Sequence, residues 1–82
     1  MTSAVAISRK LRELGYRPVS PSDRNRQGLK VRRGGGRGAY VLADFDSERY
    51  GAELAAEAAD ALRDAGYTVD RPEGRPTAFY VR

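Results

Sequence analysis

The apolar residues near the N-terminus recur with the period of a helix. They lie at spacings of three, four and three residues, which places them on one face of a 3.6-residue period. These positions are Ala4, Ile7, Leu11 and Leu14. The pattern predicts a first helix over residues 3–14 with Ser3 or Thr2 as its N-cap, because a side-chain oxygen there accepts from the free amides of the first turn.

A second, longer helix is predicted from a cap at Asp46 or Ser47 to Ala65. Its core-facing positions are expected to be Tyr50, Leu54, Ala58, Ala61, Leu62 and Ala65. Its outer face carries carboxylates at spacings of four, three and four residues, namely Glu53, Glu57, Asp60 and Asp64. An acidic stripe of this kind is usually a solvated face, and the alternative is a docking surface for a basic partner or for the basic half of another copy.

Five shorter runs have the composition and alternation of strands. They are residues 16–19, 29–33, 39–45, 67–71 and 77–81. The first is expected to be brief or at a sheet edge, because Pro18 cannot donate to a ladder. The run 39–45 is apolar on both faces, so we place it centrally in the sheet. In 29–33 apolar and basic residues alternate, so the basic side is either solvated or a binding surface.

One stretch of the chain occurs twice. Residues 11–16 read Leu-Arg-Glu-Leu-Gly-Tyr, and residues 62–67 read Leu-Arg-Asp-Ala-Gly-Tyr. In both copies a glycine directly follows the apolar-periodic run, and glycine is the usual helix end because it adopts the left-handed conformation without penalty. We therefore predict two copies of helix, strand, loop and strand, in which Tyr16 and Tyr67 occupy equivalent positions.

These elements predict an α+β fold in a single domain, residues 1–82, with the order α-β-β-β-α-β-β. Two helices are expected to pack on one face of a mainly antiparallel sheet of about five strands. The internal duplication divides the domain into copy one at about 3–33, a strand at 39–45 and copy two at about 47–82. Alternatively, the repeat produces a pseudo-two-fold arrangement in which two helix-hairpin units pack side by side.

The residue types exclude most of the chemistry of small domains. The 82 residues contain no cysteine and no histidine, so a disulfide, a thiolate metal site and the commonest general base are all absent. We expect no catalytic residues, no cofactor and no metal, since the carboxylates lie mostly on the exposed face of the second helix. Because no run approaches a membrane span or a signal-peptide core, the protein is expected to be soluble, cytoplasmic and without a membrane partner.

Charge is distributed unevenly between the two halves of the chain. Residues 1–40 contain ten basic and two acidic side chains, a net charge of +8, whereas residues 41–82 contain five basic and nine acidic side chains, a net charge of −4. A segregated basic half indicates a polyanionic partner. A GC-rich genome would explain the excess of arginine over lysine, but it would not explain why the charges segregate.

We therefore predict a small nucleic-acid-binding module, for DNA or RNA, that contacts phosphates through basic residues of the 20–38 region, with Tyr40 as stacking support. The predicted contact residues are Arg24, Arg26, Lys30, Arg32, Arg33 and Arg37. Arg37 lies in the glycine-rich connection 34–38, which leads into a strand. A loop that cradles phosphate normally leads into a helix, so this connection is predicted to be a mobile hairpin tip rather than a nucleotide-binding loop.

The predicted order of the first 65 residues, helix, three strands and helix, resembles the double-stranded-RNA-binding fold and its relative, the HicA-type toxin. The likeness covers residues 11–31, with Leu-Gly-Tyr at 14–16 as its recognisable string. HicA toxins carry a histidine in the second strand for their ribonuclease reaction, and this chain has none. RNA-binding domains of that fold place lysines at the start of helix two, where this chain has Asp46, Glu48 and Glu53. The resemblance thus implies a topology and neither activity.

The alternative function is a protein-interaction module, a small regulator, inhibitor or virion component from a GC-rich bacterium or its phage. It would act through the acidic face of helix two or through an open strand edge. The chain ends inside its last strand, at Arg82. If the edge of that strand is open, we expect it to pair with the same strand of a second copy and so to form a homodimer.

Overall fold

Helices and strands follow one another in the order α-β-β-α-β-β. The structure is a computed structural model and describes residues 3–82. Its elements are α1 (Ala4–Glu13), β1 (Gly28–Arg33), β2 (Ala39–Asp44), α2 (Glu48–Asp64), β3 (Val69–Asp70) and β4 (Ala78–Val81). Among the described residues the strands form one antiparallel sheet with the spatial order β1-β2-β4-β3. The predicted α+β class is confirmed, with four strands where about five were expected.

The strand that does not form is the predicted run 16–19. In the part of the chain that the structure describes, this run makes one isolated parallel bridge, from Val19 to Lys30. The Val19 amide donates to the carbonyl of Leu29 at 2.8 Å. Pro18 precedes it and has no N–H with which to extend the pairing. The order of helix, three strands and helix that the resemblance implied is therefore not observed.

Serine residues cap the first turns of both helices. The hydroxyl oxygens of Ser3 and Ser47 each accept from the amide three residues later, at 3.1 and 3.2 Å respectively. Each bond satisfies one of the free amides at a helix start. Ser47 rather than Asp46 is therefore the cap of α2, and Thr2, the other cap predicted for α1, lies outside the described residues.

Both helices end in the same geometry, at the two glycines that the repeat predicted. Gly15 and Gly66 have φ angles of 97° and 99°. The tyrosine amide after each glycine donates to the leucine carbonyl five residues before it, at 2.9 Å in the first copy and 3.0 Å in the second. This is the Schellman motif, which satisfies the last carbonyls of a helix. Tyr16 and Tyr67 are thus equivalent at the helix ends, and both pack against the core.

Both helices pack on one face of the sheet, which we call the covered face. Its buried strand residues are Leu29, Val31, Ala39, Val41, Ala43, Val69, Phe79 and Val81. The helices add Ile7, Leu11, Ala55, Ala58, Ala59 and Leu62. The alanines of α2 allow its backbone to approach the sheet closely. Tyr50, which was predicted to face the core, is 52% exposed and packs edge-on against Phe45 at 4.8 Å between ring centroids.

The C-terminal strand is an interior strand of the sheet. β4 pairs with β2 on one side and with β3 on the other, so the sheet edges are β1 and β3. β1 and β4 are the last strands of the two predicted copies, and they run parallel to each other on either side of β2. A two-fold axis perpendicular to the sheet would instead make equivalent strands antiparallel. The segments after the helices also differ, because Val19 lies parallel to β1 and β3 lies antiparallel to β4. The internal duplication is not confirmed beyond the helix ends.

Candidate nucleic-acid interface

The face of the sheet turned away from the helices carries a row of four side chains, one from each strand. Arg32 of β1 pairs with Tyr40 of β2 in the strand register. Tyr40 pairs in turn with Tyr80 of β4, and Tyr80 pairs with Asp70 of β3. Because cross-strand partners point to the same face of a sheet, these side chains lie side by side. We call this surface the open face.

Two tyrosine rings form the centre of the open face. The ring centroids of Tyr40 and Tyr80 lie 5.1 Å apart at an interplanar angle of 54°, a tilted contact of the kind that aromatic rings prefer. The guanidinium carbon of Arg37 lies 5.3 Å from the Tyr80 centroid, which is a cation–π contact. Arg75 donates from Nη1 to the Tyr40 hydroxyl at 3.5 Å. Each ring therefore has an arginine beside it.

A glycine-rich turn positions Arg37. Gly35–Arg37 form a single 3-10 turn, and the Gly34 amide donates to the Gly38 carbonyl at 2.7 Å. Gly38 has a φ of 91°, and a Cβ built there would overlap the carbonyl oxygen of Val81. The turn can therefore approach the end of β4 only because this residue is glycine. The connection leads into β2, a strand, as the sequence predicts.

A concavity at the outer edge of β1 brings three of the predicted arginines together. Arg24 contributes from the loop that follows Val19, and Arg32 and Arg33 contribute from the end of β1. Arg32 also donates from Nη2 to the carbonyl of Pro21 at 3.4 Å, which ties this loop to the open face. Three arginine residues thus line one recess, together with Lys30 and Asp44.

Lys30 lies beneath this surface. Its side chain is 3% exposed, and its ammonium nitrogen lies 2.6 Å from Oδ2 of Asp44, whose side chain is 47% exposed. A buried ammonium needs such a partner because removal from water is otherwise very unfavourable. The charge of Lys30 is therefore balanced by Asp44 within the fold.

Two further concavities continue the surface across the open face. One shares Arg32 and Arg33 with the first and extends over both tyrosines to Arg75. The next begins at Tyr80 and passes Arg37 toward the β3 edge, where Asp70 is paired with Arg82 at 2.6 Å. We call the arginines and tyrosines along this continuous surface the basic track, namely Arg24, Arg32, Arg33, Tyr40, Tyr80, Arg75 and Arg37. Lys30, Asp44, Asp70, Arg71 and Arg82 line the same concavities.

Sequence reasoning identified one part of the basic track and missed another. Of the six predicted residues, five line its concavities, namely Arg24, Lys30, Arg32, Arg33 and Arg37, although Lys30 is buried in its ion pair with Asp44. Arg26 is exposed on the loop and does not line any of these three concavities. Tyr80 and Arg75 were not proposed, since they belong to the other half of the chain. Alternation in the last strand indicates that Tyr80 faces away from Phe79, but only strand pairing shows that it lies beside Tyr40.

The acidic stripe lies on the outer side of α2, away from the basic track, and local partners engage Glu53, Glu57 and Asp60. Two of them pair with arginines on the same helix, at 3.5 and 3.4 Å. Glu57 accepts from the hydroxyl of Tyr16 at 3.1 Å. Burial, and then the hydrogen bond to Glu57 and the charge of that carboxylate, raise the pKa of the Tyr16 phenol from its usual 10.0.

Within residues 3–82, no group of three or more acidic side chains is placed so that it could hold a metal ion. Neither helix in this range has the length and apolar character needed to cross a membrane. Comparison of the chain with protein-family models, with curated proteins and with solved structures finds no match. Function therefore has to be inferred from the open face and from the charges around it.

Proposed function

We propose that this protein is a cytoplasmic nucleic-acid-binding module without catalytic activity, and that it binds through the basic track. The observation that carries the proposal is the cross-strand row of Arg32, Tyr40 and Tyr80, with further arginines at both ends. Guanidinium groups bind phosphate oxygens through charge-assisted, often bidentate hydrogen bonds. The net charge of +8 on residues 1–40 favours the encounter with a polyanion.

The ion pairs of the fold leave the arginines of the track available. Among the described residues, no ion pair engages Arg24, Arg32, Arg33 or Arg37. By contrast, Lys30 and the two arginines of α2 each have a carboxylate within 4 Å. Arg24, Arg32 and Arg33 line one recess, in which the carboxylate of Asp44 is already paired with Lys30. The arginines therefore repel one another, and a bound phosphate backbone would relieve that repulsion.

Fluorescence anisotropy of labelled oligonucleotides tests the proposal, with the triple variant Arg32→Ala, Arg33→Ala and Arg37→Ala beside the natural chain. We expect the affinity of the natural chain to fall at least about tenfold between about 50 and 200 mM salt, because each neutralised phosphate releases counterions. The triple variant should lose most of its binding at the lower salt. It should also show a shallower dependence on salt.

The matched control replaces three arginines outside the track, Arg9, Arg12 and Arg49, which are exposed on the helices. It removes the same net charge as the triple variant. If both variants lose affinity equally, the effect is one of total charge and the track is not the site. If the natural chain does not bind any oligonucleotide at the lower salt, the nucleic-acid function is wrong.

A protein-interaction module is the second candidate, and the outer edge of β1 favours it. In the described chain this six-residue strand is bridged on its outer side at Lys30 alone. A free strand edge can accept a strand from another chain, including a second copy. Light scattering over a range of concentrations tests for this homodimer. A monomer at every concentration, together with salt-dependent oligonucleotide binding, would favour the first candidate.

A further inference from the structure

We infer that the open face binds single-stranded nucleic acid, whose bases stack on Tyr40 and Tyr80. This inference rests on the proposed function and specifies the class of nucleic acid that is bound. The two rings lie between arginines at both ends of the basic track. Aromatic side chains bind unpaired bases through their flat faces, whereas arginines hold the backbone on either side. The track therefore has an aromatic pair at its centre and basic groups at both ends, so that a single strand can place neighbouring bases on the rings while its phosphates contact the arginines.

The shape of the surface disfavours a duplex. Adjacent strands are about 4.8 Å apart, so the four-membered row from Arg32 to Asp70 spans about 14 Å. In a duplex the base faces are stacked on one another and only base edges are accessible, in grooves that admit a helix or a narrow two-stranded ribbon. Tyr40 and Tyr80 are partly buried in the middle of a four-stranded sheet, so their rings do not project far enough to enter such a groove. Against a duplex they would meet phosphates, which the negative face of an aromatic ring does not attract.

Arg37 already occupies the position over Tyr80 where a base would stack. Its guanidinium lies 5.3 Å from the ring centroid. The turn that carries it is exposed, and a Cβ added at Gly35 or Gly36 would meet none of the described residues within 4 Å. Because guanidinium planes stack on bases as well as on rings, a base either inserts beneath Arg37 or replaces it. In the second case Arg37 is free to bind the neighbouring phosphate.

The test compares a labelled oligothymidine with a duplex of the same length, at the same low salt. We expect the single strand to bind at least about tenfold more tightly than the duplex, since stacking contributes about 1–3 kcal/mol per base. The double variant Tyr40→Leu and Tyr80→Leu should lose at least about tenfold in single-strand affinity. Its salt dependence should stay close to that of the natural chain, because the phosphate contacts remain.

Tyr50→Leu is the matched control, because it removes an exposed tyrosine from α2, outside the track. A second readout uses the unmodified protein and is informative even if the double variant does not fold. The chain has five tyrosines and no tryptophan, so its intrinsic fluorescence comes from tyrosine alone. We expect oligothymidine to quench this fluorescence, and we expect the duplex to leave it nearly unchanged.

Equal affinity for single strand and duplex, full affinity in the folded double variant, or absence of quenching would each overturn the stacking inference. In those cases the proposed function would still stand, provided that the triple arginine variant loses binding. If the natural chain binds neither ligand at low salt, the proposed function fails and the stacking inference fails with it.

Discussion

Phe79 and Tyr80 are neighbours in β4, and they lie on opposite faces of the sheet. Phe79 is fully buried on the covered face, in the core cluster to which both helices contribute. Tyr80 is partly buried on the open face, beside Tyr40 and under Arg37. Two aromatic rings of similar size therefore have different roles. The first supplies core contacts, and the second stays accessible to a ligand.

This contrast has a geometric cause. Residues alternate between the faces of a strand, and α1 and α2 both pack on the same face of this sheet. In a chain of 82 residues the buried area is limited, so stability depends strongly on the covered face. The open face is consequently free to carry arginines and half-exposed aromatic rings. Stability and binding should therefore be separable by mutation.

The largest expected effect is the destabilisation caused by Phe79→Ala. Removing a fully buried ring leaves a cavity in the core and should reduce the free energy of unfolding by about 3–5 kcal/mol. Tyr80→Ala, one residue away, should reduce it by only about 1–2 kcal/mol, because part of that ring is already in contact with water. Urea unfolding followed by circular dichroism measures both values. Equal losses would mean that the open face is part of the core.

A second effect concerns the pair of Lys30 and Asp44, which places a buried charge on the open face. Asp44→Ala leaves the Lys30 ammonium buried without its carboxylate and should cost about 2–3 kcal/mol, less than in a fully buried pair because Asp44 is half exposed. The double variant Lys30→Met and Asp44→Ala should recover most of this loss. Chemical denaturation of the two variants measures the difference. If the double variant is as unstable as Asp44→Ala, the unpaired charge of Lys30 is not the cause of the lost stability.

The next effect concerns Gly38, which lets the Arg37 turn approach β4. Gly38→Ala forces a side chain into a backbone conformation with φ of 91° and against the Val81 carbonyl, so we expect a loss of about 1–3 kcal/mol. The matched control is Gly36→Ala, which meets none of the described residues within 4 Å and should change stability by less than about 1 kcal/mol. Thermal unfolding compares the two. A further expectation is weaker oligonucleotide binding for Gly38→Ala alone, because Arg37 is displaced.

The smallest effect is predicted for Tyr16→Phe, far from the open face. The exposed hydrogen bond to Glu57 should contribute about 0.5–1 kcal/mol or less. Because the folded state raises the pKa of this phenol above the unfolded value of 10.0, folding holds the proton more tightly. The stabilisation is therefore present below pH 10 and is lost as pH rises through the folded pKa. Between pH 9 and 11, Tyr16→Phe should lose less stability than the natural chain, as measured by urea unfolding. A loss identical to that of the natural chain would contradict the raised pKa of Tyr16.

The helices could be predicted from the chain because their determinants are local. The 3.6-residue spacing identified the buried Ile7 and Leu11, and the glycine after each periodic run identified both Schellman ends. Leu14, counted with the same apolar face, is 37% exposed because it is already the C-cap of α1. The basic end of the track was also accessible to sequence reasoning, since Lys30 and Arg32 alternate with the apolar Leu29 and Val31 of the same strand.

Strand neighbours required the folded structure, because they are set by contacts between residues far apart in the chain. No local pattern indicates that β4 inserts between β2 and β3, and this insertion places Tyr80 beside Tyr40. The burial of Lys30 likewise depends on Asp44, fourteen residues away on the neighbouring strand. Periodicity tells which side of its own strand a residue occupies. Only the pairing of strands determines which side chains share a surface, and here it unites the two halves of the chain in one basic and aromatic track.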